Sequence, residues 1–238
     1  MKGFGRLIKC SLVLTFAVIV IYVGLLIVPN VLFAHQEAYK QFSVYSDRPI
    51  DANISIVLND VADRLSYSEL YSESTQLNIY LCHDNWRFTL LTRNPNAGGQ
   101  VNFLLSSNIF IRDCDIASNK LIPPSGWMFE MDSRPLSYFI AHESVHAFQR
   151  KFDPLMIITT PVHVIEGYAD YIAKRPAFDF REYAELLLQN DPSMNPKNGL
   201  YKRYHLYNAI LIDSLGMTFQ EIVSNPPELE TTLDYCRN

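Results

Sequence analysis

Residues 12–28 carry no charged side chain, and Lys2, Arg6 and Lys9 stand directly before them. A bilayer core of roughly 30 Å takes about 20 apolar residues in helical form. Basic residues at the entry side hold that end in the cytoplasm. The segment therefore predicts a cytoplasmic tip and transmembrane signal anchor over 1–34. Residues 35–238 follow as one single-pass-anchored domain on the extracytoplasmic side, periplasmic or extracellular. A cleaved signal peptide is the competing reading. Its apolar run is usually about 7–15 residues with a small-residue cleavage site after it, and only Ala34 offers such a position here.

The rest of the chain is long enough for one domain with its own core. Apolar residues reach 48% against 19% charged, which excludes a disordered polar chain. The net charge of −5, with no basic run beyond the first nine residues, argues against nucleic acid as a partner. Cys82 and Cys114 end two strand-like runs and could pair in an oxidising compartment or remain thiols. None of the four cysteines has metal-knuckle spacing.

Ile54, Val57, Leu58, Val61 and Leu65 recur with helical period within 49–65. Leu77, Ile79 and Leu81 alternate with Asn78 and Tyr80, the pattern of a strand over 76–83. The run 94–99 (Asn-Pro-Asn-Ala-Gly-Gly) reads as a turn, and 101–112 as one or two further strands. After Pro123-Pro124-Ser125-Gly126 the character is helical. Pro135 belongs to the first turn of a helix to about Lys151, with Asp132 or Ser133 as cap. Thr160-Pro161 opens a second that stops near Arg175, because Pro176 follows. Asp179 with Glu182 starts a third, to about Asn190. Leu200 to Leu215 forms a fourth, closed by Gly216, and Thr218 with Glu221 starts a short last one. The fold class is α+β: an N-terminal transmembrane helix, a small α/β subdomain, then a helical subdomain.

The second half carries Ala141-His142-Glu143-Ser144-Val145-His146 inside the first of these helices. Residues four apart differ by about 40° around a helix and about 6 Å along it, so both imidazoles can meet one ion. Glu143 lies about 100° round, beside the ion, where a carboxylate can take a proton from water bound to the metal. A catalytic zinc site needs a third protein ligand and one open position. Glu166 follows His146 by twenty residues, in Glu166-Gly167-Tyr168-Ala169-Asp170-Tyr171, on a helix that can fold back against the first. Asp170 shares its face and could take the free ring N–H of His142. Gly167 inside a helix costs up to about 1 kcal/mol relative to alanine, which close approach of the two helices would explain.

His142-Glu143-x-x-His146 followed by Glu166-Gly167-x-Ala169-x-Tyr171 resembles the gluzincin metallopeptidases, and the spacing with Asp170 is similar to that of thermolysin-like enzymes. The resemblance covers Arg134 to Ala173. It implies zinc, a helical lower subdomain and an edge strand that binds a polypeptide substrate as an extended chain, for which Asn108 to Arg112 is a loose match. It also implies an oxyanion donor after the glutamate ligand. Tyr204, His205 and Tyr207 crowd that region, and Tyr207 is preferred over His205. The metzincin pattern fails, because Gln149 stands where glycine is required and no third histidine follows.

The function expected is therefore a membrane-anchored zinc metallopeptidase, Zn2+ held by His142, His146 and Glu166 with Glu143 as general base. A metal-stabilised binding or assembly module at the membrane surface, with little turnover, is the alternative.

Overall fold

The computed structural model describes residues 2–123 and 134–237. The expected caps Asp132 and Ser133, and the turn at Pro124-Ser125-Gly126, lie outside the described residues. The chain opens with α1 (Lys2–Ile27), whose stretch Lys9–Ile27 is long and apolar enough to cross a membrane. Most of that stretch is exposed, but Leu26 is buried against the domain.

β1 (His35–Tyr39) and β2 (Phe42–Ser46) form a tight hairpin, with Tyr39 opposite Phe42 and Lys40 at a left-handed φ of 51°. No apolar alternation announces β1, because it lies at the sheet edge and its middle residues are exposed. α2 (Ile54–Leu65) turns its expected face, Ile54 to Leu65, into the core. β3 (Leu77–Leu81), α3 (Asn85–Thr92), β4 (Gly99–Val101) and β5 (Ile109–Ile111) follow. The five-stranded sheet has the order β1-β2-β3-β5-β4, with β3 parallel to β2 and β5, and β4 antiparallel to β5.

Two expectations change here. The Gly98-Gly99 pair leads into a strand, β4, instead of completing a turn. Ile109–Ile111, the core of the expected edge, is interior, because β4 pairs along its outer side. β6 (Cys114–Asp115) and β7 (Lys120–Leu121) make a small separate hairpin. Cys82 and Cys114 are both buried free thiols, acting as small apolar side chains whose burial keeps them protonated.

The sheet is covered on both faces. Leu77, Ile79, Leu81, Ile109 and Ile111 pack under α2 and α4. Tyr80, Cys82 and Phe110 face the other way, against Phe88 and Leu91 of α3 and Leu26 of α1. Tyr80, polar in the alternating pattern, is thus buried beneath the foot of the first helix.

α4 (Leu136–Phe152) begins one residue after Pro135 and is buried from Leu136 through Gln149. A helix without a solvent face is a central element, and α4 lies between the sheet and α6 (Val162–Lys174), with the short α5 (Met156–Thr159) between them in sequence. α7 (Phe180–Leu188) is capped by the Asp179 carboxylate, which accepts from the Arg181 and Glu182 N–H groups. α8 (Lys202–Ala209) starts later than expected, because Tyr201 adopts a left-handed φ of 52°, and it continues as a π turn over Ile210–Ser214. α9 (Phe219–Ser224) has a complete capping box from Thr218 and Glu221, and α10 (Leu229–Leu233) follows. The whole is a mixed α+β arrangement with one apolar N-terminal helix.

Candidate metal centre

His142 and His146 sit one turn apart on α4, with their Nε2 atoms 3.2 Å from each other. α6 folds back along α4 and brings Glu166 Oε2 to 3.4 Å from His142 Nε2 and 3.5 Å from His146 Nε2. Two imidazoles and a carboxylate thus present one donor atom each to a common point. Among the described residues, this is the group that could hold a metal ion.

The His146 ring is fixed from behind. Its Nδ1 lies 2.8 Å from Gln149 Oε1, and Gln149 Nε2 donates to the Ile165 carbonyl at 3.0 Å. That bond places the proton on Nδ1 and leaves the Nε2 lone pair for an ion. The sequence pattern shows Gln149 only as a departure from metzincins; its position three residues after His146 is the signal for this role.

Asp170 does not take the ring N–H of His142. Its Oδ1 accepts from the Tyr138 hydroxyl at 2.5 Å, and its Oδ2 lies 3.1 Å from His205 Nδ1 and 3.2 Å from Lys174 Nζ. With both oxygens engaged, the carboxylate is the hub of a buried network behind the cluster, and His142 Nδ1 has no hydrogen-bond partner among the described residues. Burial alone would push Asp170 up, but the Lys174 ammonium and the His205 hydrogen bond hold it well below the usual carboxylate range.

His205 therefore serves Asp170, fully buried against the Phe178 ring, and does not face the cluster. Tyr207 also points elsewhere, its hydroxyl donating to the Pro227 carbonyl at 2.8 Å. Residues two apart on a helix diverge by about 200°, so His205 and Tyr207 cannot share a site. His163 turns away as well, its ring edge-on to Tyr207 at 4.8 Å.

Tyr201 occupies the place expected of them. Its ring stacks on His142 at 6.0 Å, and burial with the nearby Glu166 carboxylate pushes its hydroxyl up. The left-handed backbone of Tyr201 costs a non-glycine residue on the order of 1 kcal/mol or more, and it aims the side chain back over His142 instead of along α8. A helical pattern starting at Leu200 hides this residue.

Glu143 is buried beside the cluster and packs against Gly99 of β4. The approach of strand to helix needs the two glycines. A Cβ on Gly99 would lie 2.6 Å from Glu143 Cγ, and one on Gly98 would lie 2.8 Å from the Phe139 ring. Because Arg112 N–H bonds to the Gly98 carbonyl, antiparallel alternation turns the backbone of Gly99 and Val101 away from β5. β4, His142, Glu143, His146, Glu166 and Tyr201 line one open cavity of about 760 Å³. Gly167 answers to a different neighbour than expected: its Cβ would meet Asn208 Nδ2 at 2.2 Å and the Tyr204 carbonyl at 2.4 Å, so the close approach is to α8.

No protein-family profile, curated protein or solved structure matches this chain.

The charges at the cluster are those of a cation site. Burial alone would lower His146, but the Glu166 carboxylate beside it lifts it to about 9. Burial alone would raise Glu166, and the two imidazoles outweigh this and hold it below its usual range. Glu143 is pushed up by burial, with the histidines opposing. The paired shifts of His146 and Glu166 favour positive charge at the point where the three donors meet.

Proposed function

We propose that this protein is a membrane-anchored zinc peptidase, its domain held on the extracytoplasmic side by α1. The observation that carries this reading is the donor triangle. Tetrahedral zinc with bonds of about 2.0–2.1 Å has ligand-to-ligand edges of about 3.3–3.4 Å, and the edges here are 3.2, 3.4 and 3.5 Å. Two imidazoles and one carboxylate suit zinc and leave a coordination position open toward the cavity. Bound there, zinc supplies Lewis acidity toward a carbonyl oxygen and brings the pKa of water toward neutrality. Lys2, Arg6 and Lys9 before the apolar helix favour a cytoplasmic N-terminus.

The chain's own residues complete the chemistry. β4 is an edge strand whose Val101 carbonyl already accepts from the Phe103 N–H, while its Gly99 N–H and C=O turn away from β5, so an extended polypeptide can pair with it there. Its scissile carbonyl then lies over the cluster. Glu143 takes the proton of the attacking water and delivers it to the departing amine. The Tyr201 hydroxyl, next to Glu166, donates to the developing oxyanion. Gln149 and the Asp170 network keep the supporting side chains in place.

The deciding experiment is metal analysis of the purified full chain, with cleavage of unfolded casein by the protein and by Glu143→Gln. Stoichiometric zinc, with activity lost in the variant, is expected. A zinc-loaded protein that is equally inert or equally active in both forms would overturn the reading.

A further inference from the structure

The foot of α1 is bonded to the two segments that lead into the cavity wall. Asn108 Nδ2 donates to the Leu26 and Ile27 carbonyls at 3.2 and 3.0 Å, and Ser106 Oγ to Leu26 at 3.3 Å. On the other side, Tyr22 OH donates to the Leu90 carbonyl at 2.8 Å, and Arg93 Nε donates to that hydroxyl at 3.0 Å. The loops that carry these contacts also supply Asn94, Asn96 and Leu104 to the cavity wall. The second loop continues to the far wall, where Arg150 of α4 donates to the Phe103 carbonyl at 2.5 Å, and α5 adds Ile157 and Ile158 to the lining.

Resting on the reading of α1 as a membrane span and of the site as a peptidase, we propose that the cavity mouth sits on the bilayer surface. The site takes polypeptide held at that surface, the stretch of a membrane-anchored protein next to its lipid-embedded segment. Tyr22 to Ile27 rises about 7.5 Å along the helix, so the domain reaches down the side of the span instead of hanging from its end. Tyr22 with Arg93 over its ring is the kind of pair that settles at headgroup level.

The rim has the composition for that position. No charged residue occurs in 94–111, and none other than His163 in 154–165. Leu104 is 65% and Ile158 71% exposed, and Leu155 and Val162 are exposed beside them. Single exposed apolar residues are ordinary, but a set around one cavity marks a contact surface. Leu104 stands on the loop that Ser106 and Asn108 fasten to the foot of α1, and this attachment to the apolar span identifies lipid as the occupant. A soluble chain must find such a mouth from bulk, whereas one anchored in the same bilayer is concentrated beside it.

The test uses the full chain in phosphatidylcholine–phosphatidylglycerol vesicles with brominated acyl chains. Leu104→Cys and Ile158→Cys, in a Cys10→Ser, Cys236→Ser background, carry an environment-sensitive fluorophore, and Glu185→Cys on α7 is the reference. Strong quenching at 104 and 158 with none at 185 is expected. Equal fluorescence at all three positions, or shielding of 104 and 158 by cross-links between protein copies, would overturn the bilayer contact. A second arm offers the zinc-loaded protein one unstructured segment, either following a transmembrane helix or free in solution. The tethered form should be cut at least about tenfold faster, within about ten residues of the bilayer, the reach of about 35 Å of extended chain. Equal rates overturn the substrate class and leave the peptidase reading intact. Quenching without cleavage of either form overturns the substrate class together with that reading.

Discussion

Tyr201 lies over His142 with ring centroids 6.0 Å apart and planes 9° from parallel, and burial together with the nearby Glu166 carboxylate pushes its hydroxyl up. One side chain therefore borders two of the three donors of the candidate metal centre. Tyr201→Phe keeps the stack and removes only the donor. It should lower kcat by about 10²–10³, the cost of losing one oxyanion-hole donor, with zinc content unchanged. Tyr207→Phe should leave kcat unaltered, since that hydroxyl serves Pro227. Steady-state kinetics of the two variants check this, and the reverse ranking would remove Tyr201 from the mechanism.

Glu143→Gln preserves shape and the packing against Gly99 while removing the base. Loss of at least about 10²-fold in kcat is expected, with zinc retained at wild-type stoichiometry. Elemental analysis beside the kinetic assay separates this outcome from simple metal loss.

Removing a ligand has a different signature. Glu166→Ala should abolish both activity and stoichiometric zinc, because its oxygen is the one donor that α6 brings to the cluster. In the unaltered protein, zinc at a free concentration of 100 times its Kd should stabilise the fold by about 2.7 kcal/mol. Thermal unfolding with zinc and with chelator reads the difference, and an unchanged Tm would contradict binding to the folded state.

Gly167→Ala tests the packing of α6 on α8. At an exposed helical position the change would stabilise by up to about 1 kcal/mol. Here the new methyl meets Asn208 and the backbone of Tyr204, so a loss of about 1–3 kcal/mol is expected. Denaturant titration of the chelated protein measures it, and a gain in stability would show that the helices can part without cost.

The Asp170 network predicts how the fold responds to acid. Its carboxyl is held below the usual range when folded, so the unfolded chain takes up its proton first as pH falls. The stabilisation is present in full above the unfolded value of about 4 and is lost as pH falls below it toward the folded value. Asp170→Asn should lower stability at neutral pH and flatten that acid limb in chemical denaturation of the metal-free protein. An unchanged acid limb would mean that other carboxylates govern it.

How much of this was legible in the chain itself can be read residue by residue. The spacing of His142 and His146 allows both rings to meet one ion wherever that segment is helical, since helical geometry is local. The uncharged run before Pro29, the periodic face of α2 and the capping pair Thr218–Glu221 are likewise local patterns, and each corresponds to an element of the structure. Distance in the chain decided the rest. That α6 returns Glu166 to within 3.5 Å of the histidines follows from α4 lying against α6, a packing no spacing specifies. Tyr201 instead of Tyr207 reaches the cluster because one left-handed residue redirects the chain before α8. β4 instead of Ile109–Ile111 becomes the edge because strand order depends on which neighbours pair, not on which segments are apolar. Asp170 turns from His142 to Tyr138, Lys174 and His205 because a buried carboxylate bonds to the donors that three-dimensional packing sets beside it. Local periodicity determines which residues a helix can aim together; only the packing of distant segments decides what they meet.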